Sequence, residues 1–501
     1  MTDYDTLFPI TAADSADQYL ELAQDAERSI SQYAHAHADG VYWTTDPQAP
    51  LDLSRYHGST GIVEFYANLY QATGSSTYGE IFAKAARFAA LHWRDILLPD
   101  NIAALQRQES LPELGKSVDF GVGGVAESLR RAWYTASQDP SADPSADPSA
   151  QDLKNTIETA LAQIAQWYLL IAESGEYGVH WANTSAQLFD GGIIEILIDI
   201  NAILQSDEIT TVIAAAGREF LSHGVRQPDG SLDFDAFAQI AERNYWRDKY
   251  YESLTGNAHT GGFVEPATIA NYQRLIGSHR PNFSYGPAGA GFTLLRLYHE
   301  TGDHAYLDGA KQASLFLTNH AVPQTKGFLS PHDLNTGRNL FYAGECNGIA
   351  GTAKLFLSLY ALTNDESYLD TVKGYVEGLE SIGVPEHQSP GLWNNVCQCC
   401  GHAGLVHFFL SLNEVHPDEH WLELANRTAS VLLGTAKVTR SASGDQAIWP
   451  IAWSRLNPTR IGHPIGLRDG AAGVASSLLE LYLADKGERL PRAYDDIGFW
   501  E

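Results

Sequence analysis

"CGHAGLVHFFLSL", residues 400–412, places two glycines three positions apart and follows them with an apolar run at helical spacing. The same shape recurs in HGSTGIVEFYANL from His57, FGVGGVAESL from Phe120 and LFDGGIIEIL from Leu188. It appears again in YGPAGAGFTLL from Tyr285, NGIAGTAKLFLSL from Asn347 and DGAAGVASSLLEL from Asp469. The copy at Leu188 is degenerate, with Phe189 where the first glycine is expected. The second glycines, Gly61, Gly124, Gly192, Gly289, Gly351, Gly404 and Gly473, are spaced by 63, 68, 97, 62, 53 and 69 residues.

A period near 60 holds two helices and their connections. Between the glycine motifs lie amphipathic patterns such as HAYLDGAKQASLFL (304–317), SYLDTVKGYVEGL (367–379) and HWLELANRTASVLL (420–433). Each opens on an aromatic-Leu pair: Tyr306-Leu307, Tyr368-Leu369 and Trp421-Leu422. Helix pairs repeated at a fixed period imply a stacked or closed array. Glycine in or beside a helix costs roughly 1 kcal/mol relative to alanine, so seven such sites require compensation by close backbone packing. Apolar helices inside and amphipathic helices outside give an all-α chain: one (α/α)7 toroid over residues 1–501, with seven inner and seven outer helices. The inner helix starts converge on one rim.

Two stretches interrupt the period. DPSADPSADPSA (139–150) is a threefold tetrapeptide that reads as a flexible, solvated loop. The long gap before Gly289 holds an insertion over 225–284, including AERNYWRDKYYESLTGNAHTGG (241–262). It reads either as a lid over the rim or as a surface excursion.

Composition excludes several functions. A formal charge of −29 opposes both a phosphate backbone and an anionic membrane surface. No run approaches the 18 consecutive apolar residues of a membrane span. The acidic N-terminal stretch lacks the basic and apolar regions of a signal peptide, which makes the expected location cytoplasmic. Four cysteines in 501 residues are too few for a disulfide framework, and their clustering points to metal or redox chemistry.

The residues just before each first glycine are the candidates for chemistry. They are Tyr56-His57, Asp119-Phe120, Gln187-Leu188, Ser284-Tyr285, Cys346-Asn347, Cys399-Cys400 and Arg468-Asp469. Adjacent repeats thus supply Cys346 and the pair Cys399 and Cys400. Three protein ligands with one open position is the pattern of catalytic zinc, and soft thiolates favour zinc over magnesium or calcium. Buried core cysteines or a vicinal disulfide are the alternatives. Cys397 reads as a fourth ligand, a supporting thiol or a free one.

The seven glycine motifs, with "ECNGIAG" and "CCGHAG", resemble the lanthionine synthetase C-like family, the lanthipeptide cyclases. The resemblance extends over roughly residues 50 to 485. It implies that Cys346 and Cys399 are the first two zinc ligands and that Cys400 stands where the family usually has His, as in a three-cysteine branch. It implies addition of a peptide cysteine thiol to dehydroalanine or dehydrobutyrine, giving (methyl)lanthionine thioether rings. The expected partners are a dehydrated precursor peptide and a separate dehydratase. Three thiolates would leave zinc at net −1, a weaker Lewis acid but a more electron-rich centre. Tyr285 stands where the family has its acid–base His, and Ser185 where an acidic residue is expected. Tyr285, His402, His57 and Asp119 are therefore the candidates for proton transfer. The competing functions are addition of glutathione or another small thiol, a carbohydrate-active α/α toroid using Asp119 and Asp469, and a non-catalytic zinc-stabilised peptide scaffold.

Overall fold

The computed structural model describes residues 6–45, 51–98, 101, 114–138, 148–236, 278–442, 444–454 and 457–499. Its helices alternate between two layers. The inner ones are α2 (Ser59–Thr73), α4 (Val122–Gln138), α6 (Gly192–Leu204), α8 (Pro287–Thr301), α10 (Ile349–Thr363), α12 (His402–Val415) and α14 (Ala471–Asp485). The outer ones are α1 (Asp17–Ile30), α3 (Ser76–His92), α5 (Pro148–Ile171), α7 (Asp207–Ser222), α9 (His304–His320), α11 (Glu366–Ser381) and α13 (Glu419–Thr435). Each inner helix packs on its two inner neighbours, and α14 returns to α2, closing the circle. The N-terminal helix α1 serves as outer partner of α14, so the chain ends are stitched together. The molecule is an all-α (α/α)7 toroid.

Burial follows this layering. In α2, α8 and α10 the stretches Ser59–Leu69, Pro287–Leu297 and Ile349–Leu359 are buried throughout. The outer helices bury one face only, as their amphipathic pattern requires. Leu307 and Leu369 are buried as the aromatic-Leu pattern suggests, whereas Leu422 is exposed. Tight links join each pair. Gly74, Gly302 and Asn364 end inner helices in the left-handed conformation, and Asp303 and Asp365 cap the next outer helix through side-chain bonds to Ala305 and Ser367 N–H.

The paired glycines have one physical cause. In six repeats a Cβ on the second glycine would collide with the carbonyl oxygen six residues earlier: Arg55 for Gly61, Val118 for Gly124, Phe283 for Gly289, Glu345 for Gly351, Gln398 for Gly404 and Leu467 for Gly473. The loop folds back beneath the helix start, and only a bare Cα leaves room for it. The degenerate third repeat accommodates its missing glycine with a wide turn over Gln187–Gly191 before α6 begins.

These loops also bond to one another in a closed ring. Tyr56 N–H donates to Asp119 O (3.0 Å), Val118 to Leu188 (3.3 Å), Leu188 to Ser284 (3.2 Å) and Ser284 to Cys346 (2.9 Å). Cys346 donates to Cys399 (3.4 Å), Cys399 to Arg468 (2.9 Å), and Arg468 back to Tyr56 (3.1 Å). Seven inter-repeat contacts thus fix the rim backbone before any side chain is considered.

Beyond α14 the chain turns into the axis of the toroid. Tyr494 Oη accepts from Gln187 Nε2 (3.3 Å), Tyr494 O accepts from Arg296 (3.2 Å), and Asp496 meets His407 Nε2 (2.9 Å). Between this tail and α2, α12 and α14 lies a cavity of about 620 Å3, reaching Arg55, Glu345, Gln398 and Arg468 under the rim.

The two interruptions fall largely outside the described residues. Helix α5 begins at Pro148, within the last DPSA unit; residues 139–147 are not described. Val225–Arg226 pairs with Leu232–Asp233 in the same short hairpin that follows other outer helices, so the start of the 225–284 segment belongs to the ordinary repeat. The proposed lid falls mostly within 237–277, outside the described residues. No helix among the described residues is long and apolar enough to cross a membrane.

Candidate metal centre

Cys346 and Cys399 occupy the same position in adjacent repeats, and the backbone ring holds them in register. Cys346 Sγ lies 3.3 Å from Cys400 Sγ, which lies 3.5 Å from Cys399 Sγ. All three sulfurs fall within 4.8 Å of one another and none is in a disulfide. Zinc–thiolate bonds of about 2.3 Å arranged tetrahedrally set sulfurs about 3.8 Å apart, so this donor set fits zinc. Cys397 stands apart. It is buried, its Sγ accepts from Cys400 N–H at 3.5 Å, and it therefore braces the turn that aims Cys400.

The electrostatics favour one thiolate and resist three. The S–H groups of Cys399 and Cys400 pull Cys346 well below the ordinary thiol range. That anion in turn holds Cys399 and Cys400 up. Three ionised sulfurs at these distances require a cation. The Arg468 guanidinium beneath them lowers both Cys346 and Cys399. It is itself fixed by Glu345 Oε2 at 2.5 Å.

The four proton-transfer candidates separate. His57 Nδ1 meets Asp469 Oδ2 at 2.6 Å, a dyad formed by the first and seventh repeats. Its ring packs against Tyr56 (4.5 Å) and Phe120 (5.8 Å). Asp119 is committed to ion pairs, with Arg55 Nη1 at 3.2 Å and Arg468 Nε at 3.8 Å. Tyr285 is half-buried at the rim. His402 turns elsewhere: as first residue of α12 it is fully buried, with Nε2 2.8 Å from Pro385 O and its ring edge-on to Phe8. Burial pushes it down to about 4, so it is a neutral packing residue, away from the thiols. Ser185 is also buried.

Tyr56, a rim candidate from its motif, and Arg280, which motif reading passed over, lie beside the thiols, and Tyr342 lies beside Arg280. Tyr56 is held far above its ordinary range by burial and then by the four cysteines around it. Arg280, lowered by burial, interacts with Tyr285, Asp333, Tyr342 and Cys346. Tyr342 packs on Trp393 (5.4 Å) and His332 (4.3 Å). A signal for Arg280 and Tyr342 was present. Each stands six residues before a first glycine, Gly286 or Gly348, and its carbonyl is one that a Cβ there would strike.

The fold and the thiol cluster define an α/α toroid with three cysteines gathered at its rim. Residues 283–494 match the family model described as lanthionine synthetase C-like protein. Among solved structures the chain is similar to nisin cyclase at 14% identity and a TM-score of 0.51, covering 87% of this chain and 89% of that one. It is more distantly similar to a GH76 alpha-mannanase from Bacteroides thetaiotaomicron (12% identity, TM-score 0.41, covering 79% and 96%). An unsaturated glucuronyl hydrolase from Bacillus sp. GL1 stands at the same level (12%, 0.41, 97% and 100%). A search of curated proteins finds no match.

Proposed function

We propose that this protein is a zinc-dependent cyclase that adds peptide cysteine thiols to dehydroalanine or dehydrobutyrine. The supporting observation is the convergence of three thiols from adjacent repeats, on a rim that also carries the His57–Asp469 dyad. Cys346, Cys399 and Cys400 would hold the ion, whose positive charge keeps an incoming fourth thiol ionised at neutral pH.

The residues of the chain account for the remainder. Addition forms one sulfur–carbon bond and breaks the alkene π bond, leaving an enolate. The proton lost by the thiol equals the one delivered to the α-carbon, so no oxidant is involved. Asp469 fixes the His57 imidazole through Nδ1, and Nε2 is the atom that transfers the proton. The Arg280 guanidinium supplies positive charge for the enolate oxygen. Tyr56, stacked on Phe120 at 4.5 Å, forms an apolar wall beside the sulfurs. A separate dehydratase must prepare the substrate.

The test is incubation with a dehydrated, cysteine-containing peptide, followed by thiol alkylation and mass spectrometry. Loss of alkylatable thiols above the uncatalysed rate is expected for the wild-type chain and not for Cys346→Ala. If the peptide's thiols persist while free glutathione is consumed by a dehydroamino acid, the small-thiol reading replaces this one.

A further inference from the structure

The hairpin formed by β1 (Ala34–His37) and β2 (Gly40–Trp43) lies against the outer helix α3 more closely than a side chain allows. Gly40 has φ +147°, and a Cβ there would collide with the Lys84 carbonyl of α3. This docking carries His37 and Asp39 to the end of α3, where His92 is the last residue. Asp39 Oδ2 lies 3.0 Å from His92 Nε2 and 3.5 Å from His37 Nδ1. His37 Nδ1 also accepts from Asp39 N–H at 3.2 Å, a bond within the hairpin turn that a bound ion would replace. One ligand atom from each of the three residues falls within a 4.8 Å set.

Two further features prepare the imidazoles. Phe88 stacks on His92 at 4.3 Å and 16°, and His37 meets the rings of Phe88 and His92 at 5.3 and 5.1 Å. The ring planes are therefore set by packing. On the other nitrogen of His92, Nδ1, Asp95 Oδ2 stands at 3.0 Å. A carboxylate on the remote nitrogen is the usual device for fixing the tautomer and raising the basicity of a metal-binding imidazole.

We propose that His37, Asp39 and His92 form a second metal site, for a borderline divalent ion of the zinc class, with Asp95 as the residue that positions His92. Two imidazoles and one carboxylate are the ligands such an ion takes. Bonds of about 2.0–2.2 Å set tetrahedral ligand atoms about 3.3–3.4 Å apart, which the observed 3.0 and 3.5 Å bracket. Side-chain exposures of 41%, 43% and 24% for His37, Asp39 and His92 leave room for ion entry and for water in the remaining coordination position. The site shares no residue with the cysteine centre and stands independently of the proposed cyclase activity. It pins the hairpin to α3.

Cobalt titration of the metal-free full-length protein tests it. Two ions per chain are expected, one with sulfur-to-cobalt charge-transfer bands and one with ligand-field bands alone. His37→Asn and His92→Ala should each remove the second ion and keep the first, while Cys346→Ser should do the reverse. Asp95→Asn should weaken the second ion about 10- to 100-fold without abolishing it. His37 lies at an exposed hairpin end, so His37→Asn is the variant that leaves folding intact, and excess zinc should raise the Tm of wild type by more than that of this variant, which keeps the cysteine centre. Absence of an ion with ligand-field bands alone, or persistence of that ion in both histidine variants, overturns the proposal.

Discussion

Glu195→Gln separates the toroid's buried charge from its packing. Glu195 lies on α6, fully buried, with Thr293 Oγ1 at 2.5 Å from Oε1 and Gln187 Nε2 at 3.1 Å from Oε2. The nearby Arg296 does not neutralise it, because that guanidinium is ion-paired with Asp199. Desolvation therefore raises Glu195 from 4.5 to about 8. Between those values the native state keeps a proton that the unfolded chain has released, so stability falls as pH rises, by up to about 1.4 kcal/mol per pH unit. From pH 5 to pH 8 this loss is roughly 3.5 kcal/mol; below 4.5 and well above 8 the slope vanishes. Glutamine keeps the shape and a hydrogen-bonding carbonyl for Thr293 but cannot ionise. Urea unfolding of both proteins at several pH values gives the comparison. Wild type and variant should be similar near pH 5, and the variant should be more stable by about 3 kcal/mol at pH 8. A difference that stays flat across that range refutes the burial argument.

Three other outcomes are expected. Cys346→Ala should abolish zinc retention by metal analysis, whereas Cys397→Ser should keep it, because Cys397 supports the Cys400 turn from outside the cluster. Asp469→Asn should retain zinc yet slow cyclisation by about 100-fold, the lower range of acid–base contributions, since the His57 ring loses its fixed partner. Gly473→Ala should cost about 1–3 kcal/mol in thermal unfolding, because its Cβ meets the Leu467 carbonyl, and a neutral result would mean the helix start can shift.

The repeat was legible in the sequence because its cause is local. Each glycine requirement arises from a carbonyl six residues away in the same loop, so it survives in a single sequence without comparison. The thiols were legible for the same reason, since Cys346 and Cys399 fall at one repeat position. His402 was misleading: it adjoins the thiols in sequence, but the first turn of α12 carries its ring back toward Pro385 and Phe8. The C-terminal tail gave no signal, because a single strand of chain lying along an axis has no period. Its partners, from Glu127 to His407, are scattered through the sequence and meet only when the circle closes.

That closure also places positive charge where the proposed zinc–thiolate centre would need it. Zinc with three thiolates carries net −1, and an incoming fourth thiolate makes it −2. The seventh repeat places Arg468 directly behind, at the position equivalent to Cys399, with its carbonyl bonded to Cys399 N–H. Glu345 would cancel this positive charge if it stood alone. Lys354 shares Glu345, however, and also approaches Asp495 at 3.6 Å, where burial pushes the carboxyl toward its neutral form. Arg468 and Lys354 thus set positive charge behind the thiols, shared among Glu345, Asp119 and Asp495. Cys346, Cys399 and the buried basic pair thus belong to one charge network, distributed over three repeats that only the closed ring brings together.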